Sequence, residues 1–90
     1  MRNDGRRADV RRTYVEYVSR MLDERVAEHR ARTGEDLRHW RRSITDVMKL
    51  AGEDSSMESR RELAVDLGIE NYEGTAEQNE RMVAEFLQIL

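Results

Sequence analysis

The sequence predicts an all-α fold, a small bundle of about four helices in one domain. Apolar residues repeat at helical spacing along most of the 90 residues. Charged residues make up 39% of the chain, well above the typical quarter, which indicates well-solvated helices. Proline is absent and β-branched residues are modest in number, so nothing favours a sheet. Ninety residues suit one compact domain, or a subunit whose core is completed by a partner.

The first predicted helix is long and runs from about residue 10 to residue 32. Its apolar residues are Val10, Tyr14, Val15, Tyr17, Val18, Met21, Leu22 and Val26. They spread over about half of the helix circumference, which is wider than one core-facing stripe. The helix therefore has more than one neighbour to contact, and we expect a homodimer formed through it. Residues 1–8 precede it as a basic, flexible arm, and Gly34 follows it as the expected left-handed residue.

Three shorter helices are predicted at about residues 37–51, 56–67 and 76–90. The core stripe of the second helix consists of Leu37, Trp40, Ile44, Val47, Met48 and Ala51. The segments 55–58 and 75–78 have the Ser/Thr-x-x-Glu/Gln pattern of a capping box, so each predicts a helix start. Gly68 followed by Ile69 is typical of a Schellman motif at a helix end. The apolar residues of the last helix, through Leu90, are expected to be buried.

The charge is divided unevenly along the chain. Residues 1–49 carry 13 Arg or Lys against 9 Asp or Glu, whereas residues 50–90 carry 3 against 10. Twelve of the 13 basic residues are Arg, which favours planar, bidentate contacts with carboxylate or phosphate. This division leaves two interpretations open. The basic half forms salt bridges within the chain or a dimer, or it faces an anionic partner.

Residues 59–90 are predicted to form a helix–loop–helix sub-unit of the single domain 9–90. The pattern Glu62-Leu63-Ala64-x-x-Leu67-Gly68-Ile69-x-x-Tyr72-x-Gly74, followed by a capped helix, resembles the Rho N-terminal-like and SAP-like modules. In those modules a leucine-rich helix ends at a glycine and a second helix packs back after a short loop. The resemblance implies DNA or RNA binding, with the matching positions Arg60, Arg61, Tyr72 and Arg81. Those families commonly carry Lys or Arg at the start of the second helix, where this chain has Ala-Glu-Gln-Asn-Glu.

The sequence shows no pattern that predicts catalysis or a cofactor. The chain has no cysteine, and His29 and His39 lie on different predicted helices without a spacing of further ligands that marks a metal site. Neither a nucleophile elbow nor a glycine-rich phosphate loop is present. We expect a cytoplasmic protein, because no apolar run reaches the roughly 20 residues of a membrane span and the N-terminal residues lack the apolar core of a signal peptide.

These observations predict a non-enzymatic interaction protein, such as an adaptor, inhibitor or assembly factor, that binds a protein partner through charged helical faces. Interface anchors tend to be aromatic residues and Arg, so the predicted partner-binding residues are Tyr17, Trp40, Arg41 and Tyr72. The alternative is a nucleic-acid-binding protein that holds the phosphate backbone with its Arg-rich residues 1–49. The residues of this alternative are Arg6, Arg7, Arg11, Arg12, Arg38, Arg42 and Lys49, joined by Arg60, Arg61 and Arg81 from the second half.

Overall fold

The computed structural model describes residues 3–90, and the side chains of residues 7–90. It contains four α-helices and one short 3-10 turn, and these residues form no strand. The elements are α1 (Asn3–Thr33), the 3-10 turn (Trp40–Arg42), α2 (Ile44–Leu50), α3 (Met57–Asp66) and α4 (Ala76–Phe86). The prediction of a small all-α bundle with a long first helix is confirmed.

Helix α1 begins seven residues earlier than predicted. It starts at Asn3, so residues 3–8, which were predicted as a flexible arm, are helical. Arg and Ala are among the best helix formers, and no proline interrupts the segment 6–8. In the turn that follows, the carboxylate of Asp9 lies 3.4 Å from Arg12 and its backbone carbonyl accepts a hydrogen bond from the hydroxyl of Thr13. Residues 1 and 2 of the predicted arm lie outside the described residues.

The predicted second helix is divided at Ser43. Ser43 is extended (φ −137°, ψ 108°), and its side chain accepts a hydrogen bond from the backbone amide of Asp46, so it is the N-cap of α2. The 3-10 turn precedes it. The i, i+3 spacing of that turn still places Leu37 and Trp40 on the side of the core, together with Ile44. The prediction of one helix over 37–51 is therefore corrected to a turn followed by a short helix.

Most of the sequence motifs predicted at helix ends are present in the structure. Gly34 and Gly68 have positive φ angles of 84° and 74°. The Schellman bonds run from Ile69 N to Ala64 O (2.8 Å) and from Gly68 N to Val65 O (3.1 Å). The capping box of Thr75 and Gln78 is present. The predicted start of α3 is one residue off.

The N-cap of α3 is Ser56, whose side chain accepts from Ser59 N. Asp54 organises this start, because its carboxylate accepts bonds from Ser56 N, Ser56 Oγ and Ser59 Oγ. Those bonds lower the pKa of Asp54, with the bond from the Ser59 hydroxyl as the largest cause. At the other end of the chain α4 stops at Phe86, four residues before the predicted end, and Ile89 is exposed.

The core is organised around α2 and the 3-10 turn. Both α1 and α4 contact α2, and α4 also contacts the turn. Trp40, Leu22 and Met82 are fully buried where these elements meet. The remaining buried apolar residues are Val18, Leu37, Ile44, Val47, Met48, Leu50, Ala64, Ile69, Val83, Phe86 and Leu87. Helix α1 contributes to the core from Val15 onward, since every described side chain from residue 7 to residue 14 is exposed.

Candidate interaction surface

The first half of α1 carries an apolar surface outside the core. Val10, Tyr14 and Tyr17 are 68%, 41% and 58% exposed. Their spacing of four and three residues places them on one side of the helix, and Met21 continues the same line to the edge of the core. We call these four residues the α1 stripe. One part of the apolar face of α1 is therefore packed against the domain, and another part is exposed.

The two tyrosines of the α1 stripe differ in how they are held. The hydroxyl of Tyr14 donates a hydrogen bond to the backbone carbonyl of Leu90, which fixes that ring against the end of the chain. Within the described residues Tyr17 makes no side-chain hydrogen bond. Tyr17 was predicted as a partner-binding residue, and the structure leaves its ring accessible. It is the predicted anchor whose environment suits that role best.

Trp40 and Arg41 lie together with Asp23 of α1. The Trp40 Nε1 donates to Asp23 Oδ1 (2.9 Å), and Arg41 donates to both carboxylate oxygens at 3.1 and 2.9 Å. The guanidinium of Arg41 stacks 4.2 Å from the centre of the indole ring. Trp40 has no exposed surface. Its predicted partner-binding role is therefore corrected to a core role, while the half-exposed Arg41 joins the turn to α1.

The pKa of the Asp23 carboxyl is lowered. The hydrogen bonds from Arg41 are the largest cause, the bond from Trp40 acts in the same direction, and partial burial opposes them. Arg41 responds in the opposite sense, because its bond to Asp23 raises its pKa. A carboxyl with a lowered pKa in the folded state stabilises the fold above its unfolded pKa of about 3.9. That stabilisation is lost as the pH falls through the folded pKa.

We expect Asp23→Asn to lower the free energy of unfolding by about 1 kcal/mol at pH 7, because the amide oxygen still accepts from Trp40 while the ion pair with Arg41 is lost. The difference from the wild type should shrink as the pH falls below about 4, because the wild-type carboxylate is then protonated. Urea denaturation of both proteins between pH 3 and 7 measures it. A difference that stays constant over this range contradicts the assignment, since other carboxylates titrate alike in both proteins.

Tyr72 holds the loop between α3 and α4. Its hydroxyl donates to Asn79 Oδ1 (2.5 Å) and accepts from Arg60 Nη1 (3.3 Å). Arg60 also donates to the carbonyl of Ser55. Gly74 lies against the same group, because a Cβ at that position would be 3.2 Å from Met57 Cε. Tyr72 and Arg60 are thus partly buried in contacts within the domain, which accounts for both side chains without a partner.

The basic residues predicted for phosphate contact lie on several different elements. Arg12, Arg38 and Lys49 form ion pairs with Asp9, Asp36 and Glu35, at 3.4, 3.1 and 2.8 Å. The exposed residues of this set without an ion pair in the described part of the chain are Arg7, Arg11, Arg42, Arg61 and Arg81. They are distributed over α1, the 3-10 turn, α3 and α4. The side chain of Arg6 lies outside the described residues.

A polar cleft that the sequence did not indicate lies between the end of α1 and the end of α2. It has a volume of about 430 Å³, and its lining includes Arg25, His29, Arg32 and Lys49. Arg25 donates to the carbonyl of Leu50, the last residue of α2. These side chains belong to two different helices, so no pattern within one helix could reveal the cleft.

The buried ring of His29 is part of the lining of this cleft. Arg32 Nη2 lies 3.2 Å from His29 Nδ1, and because a guanidinium only donates, Nδ1 is the acceptor. The proton is then on Nε2, which donates to Glu35 Oε1 at 3.0 Å. Lys49 donates to the other oxygen of Glu35, and this bond, followed by that of His29, lowers the pKa of the carboxyl. The network joins α1 to α2.

In the part of the chain that the structure describes, no group of three or more His, Cys, Asp or Glu residues is arranged to hold a metal ion. No helix there is long and apolar enough to cross a membrane.

Comparison with known proteins identifies the family of the chain but gives no information about its function. No curated protein and no solved structure matches the chain. The family model described as "Domain of unknown function (DUF3597)" matches residues 8–90. The match covers α1 from its second turn onward together with all later helices, so the chain belongs to the DUF3597 family.

Proposed function

We propose that the protein is a non-enzymatic interaction protein, an adaptor, inhibitor or assembly factor, that binds a protein partner through α1. The observation that supports this is the exposed α1 stripe. Apolar patches rimmed by charge are a feature of protein-binding sites. Tyr17 is well suited as the anchor, since tyrosine contributes a large, rigid surface and is enriched among residues that dominate binding energy.

The charged groups of the described chain are consistent with a structural role. The shifted pKa values belong to Asp23, Glu35, Arg41 and Asp54. Each of these groups is engaged in an intrachain ion pair or in hydrogen bonds at a helix start, which explains its shift. A catalytic acid or base would instead combine a shifted pKa with an accessible reaction site. This arrangement favours binding over catalysis.

The test is photo-crosslinking from position 17 of the full chain in its native cells. A photoreactive phenylalanine analogue in place of Tyr17 should form adducts with a protein. The matched control is the same analogue in place of Val65 on α3, which is 76% exposed and lies outside the α1 stripe. Adducts at neither position, or equally at both, would contradict the proposed use of α1.

We expect Tyr17→Ala to weaken binding of the crosslinked partner by about 30-fold, corresponding to about 2 kcal/mol for an interface anchor. Val65→Ala should leave the affinity unchanged, because Val65 is not part of the α1 stripe. Isothermal titration calorimetry of the purified proteins measures both variants. An equal loss in the two variants would indicate general destabilisation, which circular dichroism of the free proteins would reveal.

The nucleic-acid alternative has one observation in its favour. Arg7 and Arg11 are exposed on the projecting half of α1 and form no ion pair in the described part of the chain. Phosphate binding by these residues predicts an affinity that falls steeply between about 50 and 200 mM salt. Retardation of DNA or RNA that disappears in an Arg7→Gln, Arg11→Gln double variant would favour this alternative. No retardation at low salt would leave the protein-binding proposal standing.

A further inference from the structure

The exposed residues along one side of α1, together with the partly buried Met21 at the edge of the core, follow a regular order. They recur with a seven-residue spacing in two sets, Arg7, Tyr14, Met21 on one line and Val10, Tyr17, Glu24 on the other. Lines three residues apart with this repeat are the a and d positions of a coiled coil. Arg7 and Glu24 are exposed, and neither forms an ion pair within the described residues. The seam is therefore basic at one end, apolar in the middle and acidic at the other end.

Such an order is complementary to itself when the second helix runs in the opposite direction. We propose that two copies of this chain associate through an antiparallel pairing of their α1 helices, with the two-fold axis between Val15 and Glu16. This proposal rests on the proposed function and names a second copy as a partner. In this register Arg7 of each copy lies opposite Glu24 of the other. Val10 lies opposite Met21, and Tyr14 opposite Tyr17.

The charges select the direction of the pairing. A parallel pair would place each Arg7 beside the second Arg7 and each Glu24 beside the second Glu24, and like charges in contact disfavour that arrangement. The antiparallel pair replaces both repulsions with two ion pairs. It also places the four tyrosines of the dimer next to one another at the centre of the seam, where aromatic pairs add to the energy of burial.

The size of the surface sets the strength of the association. The two tyrosines of each copy are 41% and 58% exposed. Since a tyrosine buries roughly 150–250 Å², the four rings together contribute roughly 400 Å². Stable interfaces bury about 1,200–2,000 Å² in total. The dimer is consequently of the weak, exchanging kind, and its formation depends on protein concentration.

The first test reverses the end charges of the seam. Sedimentation velocity of the full chain over a wide concentration range should show the wild type dimerising. Arg7→Glu alone and Glu24→Arg alone should each raise the dimer Kd about tenfold or more, because each places like charges opposite one another. An equimolar mixture of the two variants, and the double variant, should both regain the wild-type Kd. Arg61→Glu, the same charge change on α3, should have no effect.

The second test reports the direction of the helices. The chain has no cysteine, so thiols can be introduced at chosen positions. Val10→Cys mixed with Met21→Cys should form interchain disulfides on mild oxidation. Val10→Cys alone should not, because its two copies would be about 16 Å apart along the axis at 1.5 Å per residue. Crosslinking by Val10→Cys alone would indicate a parallel pair and overturn the proposed register.

The outcomes separate this inference from the proposed function. A protein that stays monomeric at all concentrations overturns the dimer. If position 17 nevertheless crosslinks to a different protein in cells, the proposed function stands and only the choice of a second copy is wrong. A monomer whose position 17 forms no protein adduct overturns both.

Discussion

Trp40→Ala should lower the free energy of unfolding by about 3–5 kcal/mol, the usual cost of removing a large buried aromatic side chain. A domain of this size has a total stability of roughly 5–13 kcal/mol at 0.05–0.15 kcal/mol per residue. The substitution would therefore remove a large part of it. Trp40 is the one aromatic residue of the 3-10 turn, and its indole is fully buried at the centre of the core.

The loss extends beyond the cavity that the indole would leave. Asp23 loses the hydrogen bond from Nε1, and Arg41 loses the ring on which its guanidinium stacks. The turn would then be held to α1 mainly by the Asp23–Arg41 ion pair, and a partly exposed pair contributes about 1 kcal/mol or less. We therefore expect the effect to lie toward the upper end of the range.

Urea denaturation followed by circular dichroism measures this effect without depending on tryptophan fluorescence. The matched control is Trp40→Phe, which keeps most of the aromatic volume but not the donor to Asp23. It should cost about 1–2 kcal/mol, the sum of a modest cavity and a lost hydrogen bond. If Trp40→Ala costs no more than Trp40→Phe, the core does not depend on the packing of the indole, and the assigned role of Trp40 is wrong.

The features that the sequence predicted well are those that short segments determine. The positive φ angles of Gly34 and Gly68 and the capping box of Thr75 depend on a few neighbouring residues. The local sequence pattern is therefore sufficient to predict these features. The choice of Ser56 over Ser55 as N-cap is different, because it depends on where Asp54 can reach. By pattern alone Ser55 is the better match, because Glu58 follows it three residues later as in a capping box.

The features that were missed depend on contacts between distant segments. The break at Ser43 is not visible in the apolar pattern, because Trp40 and Ile44 face the core in a continuous helix and in a turn followed by a helix alike. The Asp23–Arg41 ion pair and the cleft around His29 require the packing of α1 against the following elements. The resemblance of residues 59–90 to nucleic-acid-binding modules stays a prediction.

The division of α1 into a packed half and a projecting half connects the fold to the proposed function. The sequence shows that the apolar face of α1 is wider than one core-facing stripe, but only the packing shows which of its residues remain exposed. Val18 and Leu22 are buried, whereas Val10 and Tyr17 are exposed on the same helix. Under the proposed function, stability and association depend on different residues of one element, and we expect substitutions to change one property without the other.

Leu22→Ala should lower the free energy of unfolding by about 2–5 kcal/mol, since the side chain is fully buried and its removal leaves a cavity. Leu22 has 0% exposure at the point where α1 meets the core. Val10→Ala is the matched comparison, because it also shortens an apolar side chain of α1. Val10 is 68% exposed, so its substitution should change the stability of the monomer by less than about 0.5 kcal/mol.

The variant with the larger effect should differ between the two measurements: Leu22→Ala should reduce monomer stability more, and Val10→Ala should weaken the dimer more. At a concentration well below the dimer Kd, urea denaturation reports the monomer, and only Leu22→Ala should differ clearly from the wild type. Sedimentation velocity at high concentration should instead show a weaker dimer for Val10→Ala, because Val10 lies opposite Met21 in the proposed seam. An equal loss of monomer stability in both variants would mean that the first half of α1 is part of the core. In that case the α1 stripe could not serve as an independent binding surface.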